Sequence, residues 1–317
     1  MSDLDMVFEN EQLPADHRSG VVAIVGRPNV GKSTLMNRIL GQKVAIVTPK
    51  PQTTRRQQLG IYTEDHGQIL FMDTPGLHKP HHKLGELMVN LAEAALSDAD
   101  VILWVLDVSV EPQDEDKGIA QTINRLRRET PVILALNKAD LPTTGTRIVN
   151  TGAYLTLVEH AGALAVSALD GTGVNELVKD LMGRLPLGPR YYPADQVSEV
   201  NMRFIAAEVI REQIILNTEK EIPYSVAVEV EEFKERSENL SYINAIVYVE
   251  RESQKGIVVG KGGSMIKKIG SDARRELASI IETQIYLDLH VKVLKNWRSD
   301  ENLMRRLGYR APERDDD

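Results

Sequence analysis

The stretch Gly26-Arg27-Pro28-Asn29-Val30-Gly31-Lys32-Ser33-Thr34 lies directly behind the apolar run Val21-Val22-Ala23-Ile24-Val25, and its reading decides how the rest of the chain is understood. It fits G-x-x-x-x-G-K-[ST] in the order strand, glycine loop, helix. In that setting the loop's backbone amides, at the positive end of the following helix, cradle phosphate groups. Lys32 is then placed to reach the β- and γ-phosphates, and the Ser33 hydroxyl to ligate Mg²⁺ beside them. A nucleoside triphosphate is the expected ligand. The remaining chain must specify which base, what reaction and what purpose.

At 317 residues the chain exceeds one usual domain, so two domains are expected, each large enough for its own core. It contains no cysteine, which excludes disulfides, thiolate metal sites and cysteine catalysis and is compatible with a reducing cytosol. Residues 1–19 are polar and acidic (Asp3, Asp5, Glu9, Glu11), which predicts a disordered extension and no signal peptide. No apolar run reaches membrane-spanning length, so a soluble protein that touches a membrane at most peripherally is expected. The net charge of −8 argues against a surface basic all over and leaves room for a local basic face.

After the loop helix comes Thr48-Pro49-Lys50-Pro51-Gln52-Thr53-Thr54-Arg55-Arg56, where two prolines forbid a regular helix. A threonine-bearing loop at this place reads as a switch that closes on Mg²⁺ when the γ-phosphate is present. Gly67 to Met72 reads as a buried strand delivering Asp73-Thr74-Pro75-Gly76 at its carboxyl end. Asp73 is suited to hold Mg²⁺ through water, and Gly76 lets a backbone amide approach the γ-phosphate. His78, His81 and His82, with Glu86, invite a metal reading. Pro80 breaks the helix such a site needs and no further ligand completes a tetrahedron, so a solvated loop is expected.

Two continuously apolar strands follow, Val101 to Leu106 and Pro131 to Leu136, and the second ends in Asn137-Lys138-Ala139-Asp140. A carboxylate only accepts hydrogen bonds, so Asp140 matches the adjacent N1 and N2 donors of guanine, whereas adenine offers an acceptor at N1. Asn137 is suited to brace the loop and the base edge, and the Lys138 stem to lie along the purine face. Ala163 to Val166 reads as a last strand, after which Ser167-Ala168-Leu169 meets the base from its other side. Four ligand loops at strand ends, in this order, predict a doubly wound α/β GTPase domain over 20–186 that binds GTP and GDP with Mg²⁺.

Residues 187–200, with Pro189 and Pro193, read as a linker. Beyond it the apolar periods run helix, two strands, two helices joined by a glycine loop, strand, which predicts a smaller α+β domain over 201–296 and a tail over 297–317. The glycine loop is Gly260-Lys261-Gly262-Gly263, followed by Lys267 and Lys268. A lone G-x-x-G carries nothing. Between two short helices, with lysines beside it, it fits the KH loop that clamps about four nucleotides of single-stranded RNA by their backbone. From Arg251 to Arg310, thirteen Lys and Arg face seven Asp and Glu, a basic footprint inside an acidic protein.

Together, Gly26 to Ser33, Gln52 to Arg55, Asp73 to Leu77, Asn137 to Asp140, Ser167 to Leu169, Gly260 to Gly263 and the tail Trp297 to Tyr309 resemble the Era family of bacterial GTPases. The resemblance covers about residues 20 to 310 and implies a P-loop GTPase domain followed by a type II KH domain. It further implies a factor that binds the 3′ end of 16S ribosomal RNA and assists small ribosomal subunit assembly. Such a factor is expected to be a monomer in the cytoplasm, with some peripheral association with the inner face of the cell membrane. In this reading water attacks the γ-phosphate in line, with Lys32 and Mg²⁺ neutralising charge. Ser33 and Thr54 are the expected metal ligands, Thr53 being the alternative. Leu77 stands where Ras-like GTPases carry a water-orienting glutamine, so slow intrinsic hydrolysis is expected, with Asn29 helping to hold a K⁺ ion. The rival readings are an RNA-binding adaptor with a structural nucleotide site, and a GTPase acting on a membrane partner.

Overall fold

The computed structural model describes residues 13–76, 80, 82–199 and 201–310. Leu77, His78, His81, the first twelve residues and Asp315 to Asp317 lie outside that set. Contacts divide the chain into two compact units. The first comprises Met1–Val44, Gln57–Leu77 and Leu91–Glu199; the second comprises Ala45–Arg56, His78–Asn90 and Val200–Asp317.

The first unit is built on a six-stranded sheet in the order β2-β3-β1-β4-β5-β6. Its strands are β1 (Arg18–Val25), β2 (Gln58–Glu64), β3 (Gly67–Asp73), β4 (Val101–Asp107), β5 (Val132–Asn137) and β6 (Gly162–Ala165). β2 runs antiparallel to β3 across a two-residue turn at Asp65-His66, while the other neighbours are parallel. Every residue of β4 and β5 is buried, the burial that an unbroken apolar run requires when both faces are covered. The helices are α1 (Lys32–Leu40), α2 (Lys83–Asp98, which belongs to this unit from Leu91 onward), α3 (Asp114–Leu126), α4 (Gly145–Leu155) and α5 (Val174–Arg184). α3 opens on a capping box between Gln113 and Asp116, and its three first-turn acids suit the positive helix end.

Two features of this unit escaped hydrophobic periodicity. β1 begins at Arg18, three residues before the apolar run and inside the stretch assigned to the extension. Polar contacts extend it: the Ser19 amide donates to the Pro186 carbonyl at 3.1 Å, and His17 Nδ1 pairs with the Gly188 carbonyl at 2.7 Å. The proline-rich stretch after α5 is also pinned. Buried Gln68 accepts the amides of Tyr191 and Tyr192 at 2.8 and 2.9 Å, and the Ile61 amide donates to the Val197 carbonyl at 2.8 Å.

The second unit carries α6 (Met202–Asn217), the single turn α7 (Ile222–Ser225), β7 (Ala227–Ser237), β8 (Leu240–Val249), α8 (Glu252–Val259), α9 (Ser264–Ile281), β9 (Gln284–Val293) and α10 (Glu301–Arg306). Its sheet is ordered β7-β8-β9, with β7 antiparallel and β9 parallel to β8. Helices α6, α8 and α9 bury Val209, Ile214, Val258, Ile269 and Leu277 against Ile243, Ala245 and Val247. Pro223 sits in the first turn of α7, and strand β7 follows from Ala227. The tail folds into this unit: Trp297 is fully buried, stacks on Tyr309 at 5.6 Å and donates from Nε1 to the Ser225 carbonyl at 2.9 Å.

Candidate nucleotide site and nucleic-acid groove

The carboxyl ends of parallel strands bring the nucleotide motifs to one edge of the first sheet. Ile24 pairs with Asp73 in register, and Asp107 pairs with Asn137. The loop after β1 has a conformation only its glycines allow. Gly26 sits at φ 152° and Gly31 at φ 103°. A Cβ on Gly31 would stand 2.4 Å from Asn137 Nδ2, and one on Gly26 2.5 Å from the Val105 carbonyl oxygen. Asn29 is also left-handed, at φ 62°, and Val30 is buried beneath the loop.

Lys32 opens α1 and folds its side chain into the loop, donating to the carbonyls of Gly26 at 2.9 Å and Arg27 at 3.1 Å. Burial pushes its ammonium down, with Asp73 pulling the other way. A buried cation ringed by carbonyl oxygens within a glycine loop fits an anion such as a phosphate chain. Ser33 Oγ donates to Asp73 Oδ2 at 2.7 Å. A hydroxyl and a carboxylate are hard oxygen donors, and together they suit Mg²⁺, which when bound would neutralise phosphate charge. Thr74 turns inward, its hydroxyl donating to the Ile24 carbonyl at 2.8 Å, while Gly76 packs against Pro28.

Asn137 is 3 % exposed and spends both ends of its amide on protein. Nδ2 donates to the Val30 carbonyl at 2.6 Å, and Oδ1 accepts the Ala168 amide at 2.9 Å. It therefore braces two loops. Asp140 is exposed and accepts from Ser167 Oγ at 2.8 Å, so this carboxylate and the Ser167-Ala168-Leu169 loop do meet. Lys138, at φ 68°, pairs with Asp107. Burial pushes the Asp107 carboxyl up, but bonds from Lys138 and Ser109 hold it below the ordinary range.

Several contributors carry no motif signal. Arg38 of α1 donates to the carbonyls of Ala168 and Leu169. The Arg27 side chain leaves the phosphate loop: Nε stands 3.0 Å from Asp116 Oδ2, on a fully buried carboxylate that also accepts from the Tyr154 hydroxyl at 3.1 Å. Burial and the Asp116 charge push the Tyr154 hydroxyl up to about 12. Only the fold reveals these pairings.

The threonine loop belongs to the second unit. The Thr53 hydroxyl donates to the Lys50 carbonyl at 2.7 Å and lies 2.7 Å from Thr48 Oγ1; Thr54 is buried. Four charged side chains hold the segment: Arg55 donates to the carbonyls of Val226 and Pro223 at 2.6 and 2.8 Å, Arg211 of α6 to the Thr53 carbonyl, Lys50 to the Ile215 carbonyl at 2.7 Å, and Glu212 accepts the Val47 amide at 2.8 Å. His82 starts α2, its Nδ1 accepting the Gly85 amide at 3.0 Å.

The glycine loop links α8 to α9 as expected, with Gly260, Gly262 and Gly263 all at positive φ. A Cβ on Gly262 or Gly263 would meet nothing within 4 Å, so the loop's outer face is open. Lys261, Lys267 and Lys268 are exposed. Beside the loop, α9 and β9 enclose a groove of about 330 Å³ lined by Ile266, Lys267, Gly270, Ser271, Arg274, Leu287 and Leu289. Lys268 is not among its walls. Arg274 stands seven residues after Lys267, two turns along the same face of α9, a spacing visible in the sequence.

Fold and site together define a P-loop protein for guanine nucleotides coupled to a KH module. A family described as 50S ribosome-binding GTPase matches residues 21–138, and the KH domain family matches residues 221–298. GTPase Era of Ruminiclostridium cellulolyticum is 42% identical over 295 residues, covering 93% of this chain and 98% of its own. Crystal structures of an alanine point variant of Aquifex aeolicus Era with GDP and AlF₄⁻, and of Era with MgGDPNP and nucleotides 1506–1542 of 16S ribosomal RNA, superpose with TM-scores of 0.84 and 0.85. Each is 38% identical and covers 92% of this chain and 99% of its own. The chain belongs to the Era family of GTPases and hydrolyses GTP to GDP and phosphate.

Proposed function

We propose that this GTPase is a timing switch on RNA: it binds the single-stranded 3′ end of 16S ribosomal RNA through the KH groove and assists small ribosomal subunit assembly. The observation that carries the reading is the open loop Gly260 to Gly263 leading into α9, whose Lys267 and Arg274 wall a groove with apolar flanks. In the nucleotide site Lys32 and the Gly76 amide would hold the γ-phosphate, Asp140 would read guanine, and Ser33, Asp73 and a switch threonine would hold Mg²⁺. Thr54 is proposed as that threonine, with Thr53 the alternative. The protein would act as a monomer in the cytoplasm, and among the described residues no helix is long and apolar enough to cross a membrane. Contact with the inner face of the membrane would be peripheral, a reading supported by family resemblance.

The test is Lys261→Asp combined with Gly262→Asp. Carboxylates at the open loop repel phosphates, so binding of a short single-stranded RNA should be abolished while GTP affinity stays as in the parent. Retained RNA binding would return the loop to a solvated turn.

A further inference from the structure

The side chains of β9 alternate: Ile285, Leu287, Leu289, Val291 and Val293 pack toward the helices, so Tyr286, Asp288, His290 and Lys292 lie on the opposite face of the sheet. Tyr286 is 59% exposed and stands in register with Tyr242 of β8, the two rings 5.7 Å apart and tilted by 31°. Next to them the β7–β8 pairing slips between Glu235 and Ser237, which leaves Arg236 as the extra residue of a bulge. Bulges re-aim side chains, and here the Arg236 guanidinium lies over the Tyr242 ring at 4.2 Å. Lys234 is level with Tyr242 on the far strand. At the other end of the same face the surface is closed, with Arg306 over the ring of buried Tyr248 at 5.9 Å.

A cross-strand tyrosine pair stabilises a sheet, but stabilisation does not require one ring to remain mostly in water. Aromatic rings on an open sheet, beside cations, are the chemistry on which unpaired bases stack, whatever their sequence. Position joins this surface to the groove. β9 is an edge strand, and Leu287 lines the groove while its neighbour Tyr286 faces the other side. A strand that leaves the groove over this edge meets Tyr286 next. Of the acids here, Glu232 pairs with Lys234, Asp288 lies 3.6 Å from the His290 ring, and Glu231 accepts from Asn244 Nδ2 at 3.4 Å.

We propose that Tyr286 and Tyr242, with Arg236, form a base-stacking platform that holds one or two nucleotides of single-stranded RNA as the chain passes from the KH groove around the edge of β9. This rests on the groove binding RNA. The full-length protein is titrated with RNA of nucleotides 1506–1542 of 16S ribosomal RNA. Tyr286→Thr removes the ring and keeps a residue suited to a strand, and it should weaken binding at least about fivefold. Tyr286→Trp should keep or improve binding, and GTP affinity should not move in either variant. If Tyr286→Thr binds as the parent while Lys261→Asp with Gly262→Asp loses the RNA, the platform is overturned and the groove stands. If only Tyr286→Thr loses binding, the groove reading fails and the platform, as a continuation of the groove, falls with it. If neither variant, or the parent itself, shows an RNA-dependent signal to lose, both fall together.

Discussion

Asn137 Nδ2 donates to the Val30 carbonyl at 2.6 Å, across 107 residues of sequence, and so ties the base loop to the phosphate loop. Its Oδ1 ties in the Ala168 amide. Asn137→Ala leaves a buried carbonyl and a buried amide without this partner, a loss of about 1–3 kcal/mol for each such group. GTP, GDP and xanthosine triphosphate should all bind more weakly by a similar factor, because the damage lies in the brace and not in the base contact. Nucleotide titrations with the three ligands check this; a loss confined to guanine would give Asn137 a direct contact with the base.

Asp140 should behave differently, since its carboxylate is exposed and close to Ser167 in the loop that would face the base. Asp140→Asn introduces a donor where guanine also presents donors, and xanthine carries an acceptor in place of the N2 amine. GTP affinity should fall and xanthosine triphosphate affinity should rise. Competition between the two nucleotides reads the exchange directly, and an unchanged preference for GTP removes Asp140 from base recognition.

Asn29 holds a left-handed backbone in the phosphate loop, where a monovalent cation near its side chain would add charge at the transition state. Hydrolysis should be faster in K⁺ than in Na⁺, and Asn29→Ala should remove the difference. A tenfold effect corresponds to about 1.4 kcal/mol of barrier. Single-turnover rates in matched chloride salts decide it, equal rates in both salts being the contrary result.

Glu208 and Arg211 form an ion pair on α6, and Arg211 is 1% exposed and holds the Thr53 carbonyl. Burial pushes the Glu208 carboxyl up, but Arg211 outweighs it and leaves it below its ordinary value. A depressed carboxyl contributes stability above its unfolded pKa, about 4.3, that is lost as pH falls through the folded value. The parent should thus lose protection of β8 amides steeply in acid. Glu208→Gln should be destabilised at neutral pH by about 3–5 kcal/mol and show a flatter acid limb. Amide exchange against pH measures both.

What the sequence made legible follows from how local each constraint is. Gly26 to Ser33 and Asp73 to Gly76 announce themselves because phosphate and metal chemistry demands given residue types within one loop. The unbroken apolar runs of β4 and β5 announce a covered sheet for the same kind of reason. Arg27 looked like part of that loop, yet its partner Asp116 lies far along the chain. The polar start of β1 at Arg18 and the anchoring of Tyr191 and Tyr192 by the Gln68 side chain depend on polar pairing, which leaves no hydrophobic period. The grouping of Ala45–Arg56 with the second unit was equally silent, because buried arginines such as Arg55 read as surface charge until their carbonyl partners are known.

Arg274 extends the basic wall of the groove beyond the lysines that the glycine loop draws attention to. Each phosphate neutralised on a single strand contributes roughly −0.7 to the slope of log affinity against log salt. Arg274→Ala should therefore weaken RNA binding at low salt and make the slope shallower by about that amount, with GTP affinity unchanged. A contact to a base edge instead would lower affinity at every salt concentration by one factor and leave the slope as it was. Titrating the variant and the parent with one RNA across a salt series separates the two, and parallel lines would remove Arg274 from the phosphate track.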